Sequence, residues 1–237
     1  MNSIPQASAR NAPCGSVSFA SIAVLAAVLT SSCSNAPKIP DWQIEAKGAI
    51  DRAVVAYLEG NTRVEMAEMS RARRQLSSTG RADLVASAEL TRCATRVASL
   101  VFEPCAGFEA LRTDATETQR AYADYLGGRL LPAQIPLWPA TQRAAATRLA
   151  GDNLPLQGID DPLSLLVAAG VLLETGKASP TTIAQSVDAA SSQGWRRPLL
   201  AWLGVQAQRA TQAGQTAEAT RLLRRIELIQ NEAAPAR

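Results

Sequence analysis

The chain has 237 residues, with 24 Lys and Arg against 21 Asp and Glu, a formal charge of only +3. Hydrophobic residues make up 47% and charged residues 19%, which excludes a disordered chain and allows one domain or two small ones. Histidine is absent, which excludes Ser-His-Asp and Cys-His sites, His-ligated metals and an imidazole pH switch, and the near-neutral charge gives no basis for nucleic-acid binding.

Residues 1–32 carry one charge, Arg10, and residues 19–29 (FASIAVLAAVL) form an apolar run. A membrane-spanning helix needs about twenty such residues, so the run suits the h-region of a secretion signal. Thr30, Ser31, Ser32 and Cys33 follow, with a leucine at Leu29. This arrangement resembles the lipobox of bacterial lipoproteins. The resemblance implies cleavage before Cys33 and lipid on its thiol and new amino terminus. Several acyl chains, at about 0.8 kcal/mol per buried methylene, would hold the protein on a bilayer. In those families an Asp after the cysteine favours the inner membrane. Ser34 stands there, so the resemblance implies the inner leaflet of the outer membrane. Residues 33–40 then read as a lipidated, Pro-containing tether.

Of four cysteines, Cys14 leaves with the signal and Cys33 takes lipid, which leaves Cys93 and Cys105. They are either a disulfide or two buried thiols. The helical pattern around Cys93 runs to about Phe102, roughly 13 Å beyond it. A bridge needs Cα atoms within about 7 Å, so it requires the helix to end early, near Ala98.

Helical periodicity dominates residues 41–128, the N-terminal half. Asp41 caps a first helix after Pro40, with Ala46, Ile50, Ala53, Val54, Tyr57 and Leu58 inward, stopped at Gly60. Asn61 caps a second with Met66, Met69 and Leu76 inward. A third spans about 81–102, with Ala86, Leu90, Cys93, Val97 and Leu100 on one face. Shorter helices fit 105–111 and 116–126. Residues 129–140 form a connector whose three prolines oppose helix, yet whose apolar side chains should pack on something.

In the C-terminal half, 141–237, helices are predicted from Pro139 to Gly151, then over 163–175, apolar nearly all round and therefore central. Further helices start at Ser179-Pro180 with Ile183 and Val187 inward, at Pro198, and near Thr216 with Ala219, Leu222, Ile226 and Ile229 inward. Leu165-Leu166 with Gly170-Val171 recurs as Leu199-Leu200 with Gly204-Val205, offset by 34 residues. That offset resembles the tetratricopeptide period, although Gly176 and Gly214 differ by 38. The predicted fold is all-α: an array of antiparallel helical hairpins resembling tetratricopeptide units, following a cleaved signal peptide.

Residues 63–76 (RVEMAEMSRARRQL) are dense in charge and read as a solvated helix face, or as a site for an anionic ligand or a partner surface. Trp195, Arg196 and Arg197, together with Arg209, Arg221, Arg224 and Arg225, are the candidate ligand or partner surface. Glu89 with Glu103, or Asp160 with Asp161, are candidate acid pairs for glycan hydrolysis, although the adjacent aspartates before Pro162 are explained as a helix cap. Tyr57, Tyr122, Tyr125, Trp138, Trp195 and Trp202 line either a core or a groove. No phosphate loop, zinc motif or nucleophile elbow is present, and no cofactor is expected. The expected function is a non-catalytic scaffold or accessory factor. It is anchored to the outer membrane on its periplasmic face through Cys33 and binds an envelope protein. A small-ligand or glycan-binding lipoprotein is the alternative, and a peptidoglycan-acting enzyme comes third.

Overall fold

Hairpin turns organise the chain. The computed structural model describes residues 38–143, 156 and 158–231. The signal, Cys33, most of the tether and most of the helix expected from Pro139 to Gly151 lie outside them, although 140–143 are helical. The described residues contain helices and no strand. In order they are α1 (Asp41–Leu58), α2 (Thr62–Ser77), α3 (Ala82–Ala98), α4 (Ala106–Glu109), α5 (Glu117–Leu126), a 3-10 helix (Pro132–Leu137), α6 (Pro162–Glu174), α7 (Pro180–Ser192), α8 (Arg196–Gln212) and α9 (Thr216–Asn231).

Local chemistry sets many of these boundaries. Asn61 Oδ1 accepts from the Val64 N–H at 3.3 Å, Asp161 Oδ2 from Ser164 at 2.7 Å and Ser179 Oγ from Thr182 at 3.1 Å. Thr116 and Gln119 form a reciprocal capping box at the start of α5. Gly194 turns α7 into α8 with φ +66°, a conformation that a Cβ disfavours.

Helices adjacent in sequence pack as neighbours, giving an all-α array of helical hairpins. α3 is the hub, touched by α1, α2, α4, α5 and α6. One apolar core runs from Ala86 to Leu222, so the two halves expected on either side of the connector share it. A smaller cluster joins α1, α2 and α3 through Ala46, Ala53, Met69, Leu76 and Ala88.

Several expectations are corrected: Asp41 is the first helical residue of α1 rather than its cap, which is Pro40, without a side-chain bond. α3 ends at Ala98 rather than Phe102, and Leu100 follows at φ +60°, which reverses the chain. Met66 is 58% exposed, while Met69 and Leu76 are buried one turn and three turns on. The connector is not devoid of helix. Its prolines at 132 and 136 fit a 3-10 turn that lacks the α ladder, and Leu130, Ile135 and Leu137 pack against the core. α8 starts at Arg196, two residues before Pro198. The glycines of the internal echo differ. A Cβ on Gly170 would overlap the Val97 carbonyl oxygen, whereas one on Gly204 would meet nothing within 4 Å.

Candidate functional site

Tyr125 of α5 meets Trp138 of the connector, thirteen residues further on. Tyr122 on α5 stacks on Tyr125, with ring centroids 6.1 Å apart, and Tyr125 tilts against Trp138 at 4.6 Å. The Tyr125 hydroxyl donates to Gln142 Oε1 at 2.6 Å, and Gln142 Nε2 donates to the Ser164 carbonyl at 3.0 Å. This buried relay fixes the end of the connector to α6. Burial raises the pKa of both tyrosines, so both are neutral phenols at ordinary pH.

Above this cluster lies an open groove of about 450 Å³ between α3, α5 and the connector. Leu90, Tyr122, Pro136, Leu137 and Trp138 supply its apolar surface, and Thr91 and Thr118 supply hydroxyls. Arg143 at its rim donates to the Pro136 carbonyl at 2.9 Å. Trp138 is 2% exposed, and its indole N–H has no hydrogen-bond partner among the described residues.

The charged segment at 63–76 is not merely solvated. Glu65 is 2% exposed and accepts from Arg92 Nε at 2.6 Å, with Arg96 at 3.7 Å. Glu89, also 2% exposed, accepts from Arg73. Gly107 makes room for it, because a Cβ there would overlap Glu89 Oε2. Glu103 is exposed and Asp161 caps α6, so neither imagined carboxylate pair forms a buried acid centre. Among the described residues no cluster of Cys, Asp and Glu could hold a metal.

Cys93 and Cys105 are joined as a disulfide with Cα atoms 5.9 Å apart, which the early end of α3 permits. Beside them a cavity of about 310 Å³ is lined by Arg96, Phe102, Arg129 and Glu174.

The candidate arginine surface is dispersed. Arg197 donates to the Tyr57 carbonyl and to Thr62 Oγ1, both at 2.8 Å. Arg209 donates to the Ala178 carbonyl, and Arg221 pairs with Glu218. Arg224 is exposed on α9, and Arg225 is half-buried there. Trp195 packs against the core and leaves Arg196 beside Gly60. Sequence reasoning named Glu89 as half of a carboxylate pair and Glu65 within a charged segment, but missed their burial against arginines. The hydroxyl and aromatic groove was foreshadowed only by its individual residues. No described helix is long and apolar enough to cross a membrane. No family model, curated protein or solved structure matches the chain.

Proposed function

We propose that the protein is a lipid-anchored periplasmic accessory factor that binds an envelope protein without catalysis. Cys33 carries the anchor and places the chain on the inner face of the outer membrane. The Cys93–Cys105 bridge suits that oxidising compartment. The groove of Leu90, Tyr122, Pro136, Leu137 and Trp138 is the observation that carries the reading. It is apolar at its floor, hydroxylated at its edge and open to solvent, which suits side chains from an extended protein segment. The buried carboxylates Glu65 and Glu89 are engaged by arginines and take structural roles.

The aromatic face of Tyr122 favours a second reading, a cell-wall glycan in the same groove. A photo-crosslinker at Thr118 on the groove edge, in membrane-anchored protein within intact envelopes, separates the two. Defined protein adducts that vanish in Leu137→Asp and are absent with the crosslinker at Arg224 would support protein binding. Adducts to glycan alone would transfer the groove to the second reading. The Cys33→Ser variant should leave the membrane fraction, and unchanged membrane association would remove the anchor.

A further inference from the structure

The turn between α1 and α2 meets the first turn of α8, and arginines accumulate there. Arg197 binds the Tyr57 carbonyl and the Thr62 hydroxyl, and its guanidinium lies 4.3 Å from the centre of the Tyr57 ring. Arg96 approaches the same ring at 5.1 Å. Arg92 and Arg96 share the single buried carboxylate of Glu65. Arg196, half-buried, lies over Gly60 at φ +92°, where a Cβ would stand 2.9 Å from its Nη2. Among the described residues Arg196 makes no hydrogen bond or ion pair. α8 contains no acidic residue, and Glu59, the nearest acid in the turn sequence, is exposed. Cations therefore outnumber the buried acid, and one guanidinium has all its donors unused.

We propose that Arg196, Arg197 and Thr62 form a binding site for a phosphoryl oxyanion at the α1–α2 turn. Among the described residues Arg197 keeps its Nη1 donors after its two internal bonds, and the Thr62 hydroxyl proton has no acceptor. Donors from the start of α2 and the start of α8 approach from separate elements. This suits a tetrahedral anion with acceptors on several sides better than a planar carboxylate. The glycine at position 60 keeps the Arg196 guanidinium close to the turn; any other residue would push it away.

The test is titration of the full chain with inorganic phosphate at constant ionic strength, followed by arginine side-chain Nε resonances in the NMR spectrum. Two Nε signals should shift together and saturate. Arg196→Gln should weaken binding by about tenfold. Because Arg196 has no internal partner, that variant should keep the wild-type Tm in phosphate-free buffer. Arg224→Gln, on exposed α9, should bind as the wild type does. Shifts that never saturate, or equal losses in both variants, would reduce the effect to ionic screening and overturn the site. Acetate saturating at the same concentration as phosphate would overturn the phosphoryl class. Glycerol phosphate and phosphatidylglycerol in bicelles form two further arms, identifying a soluble ester or a lipid headgroup as the source.

Discussion

The α1–α2 hairpin and the α6–α8 layer solve the same packing problem with different chemistry. α1 buries alanines at 46, 49, 53 and 56, and Ala46 and Ala53 join Met69 and Leu76 of α2 in a small cluster that buries little apolar area. Ion pairs tie α2 to both of its neighbours: Arg52 of α1 pairs with Glu68, and across to α3 Arg73 pairs with Glu89 and Glu65 with Arg92. The α6–α8 layer buries Leu166, Val167, Val171, Ile183, Trp202 and Leu203, with hydroxyls as its buried polar groups. Apolar burial is non-directional, so that layer is stabilised by volume. The seating of α2 on α3 is specified by charge geometry, because a pair on a buried carboxylate tolerates few alternatives.

Four substitutions or conditions sharpen this contrast. Trp202→Ala should cost most, about 4 kcal/mol, because it empties the site of a fully buried indole and frees the Ala98 carbonyl that its N–H binds at 3.1 Å. Chemical denaturation measures it, and a loss below half that value would show that the layer repacks. Gly170→Ala should cost about 3 kcal/mol, since the new methyl meets the backbone of α3 rather than a movable side chain. Gly204→Ala, which has space, serves as its control. Glu65→Ala should cost about 2 kcal/mol, below the range for a fully buried pair because Arg92 keeps some solvent. A double variant, Glu65→Leu with Arg92→Leu, should recover most of that loss; no recovery would mean the charges act through more partners than each other.

The smallest effect is with pH. Burial alone would raise the Asp124 carboxyl, but bonds from Arg129 and Gln134 and the charges of Arg129 and Arg112 hold it below its ordinary value. Its contribution is therefore complete above the unfolded carboxyl pKa near 4 and is lost as pH falls through the lower folded value. Thermal melts between pH 5 and 2.5, roughly, should show a shallower acid decline for Asp124→Asn than for the wild type.

Helix starts were legible because their signals are local: Asn61, Thr116, Asp161 and Ser179 each bond within their own first turn. The apolar character of α6 likewise predicted its central place. The end of α3 was not legible, because Leu100 takes a left-handed conformation that sequence reserves for glycine. Glu65 and Glu89 were hidden because charge on a helix reads as solvent-facing until a partner helix supplies the arginine. The groove was hidden for a similar reason. Tyr122 and Trp138 meet only because the proline-containing segment winds into a 3-10 turn and folds back.

The corner where α3 ends is closed on two schedules. Its cysteines are 12 residues apart, so both are available as soon as α4 has emerged. The indole that covers the last turn of α3 lies 104 residues beyond Ala98. A chain emerging from its N-terminus can therefore be oxidised at this corner well before α8 exists to seal it. Maturation of the hub is then stepwise: a local covalent closure first, and a distant aromatic lid last.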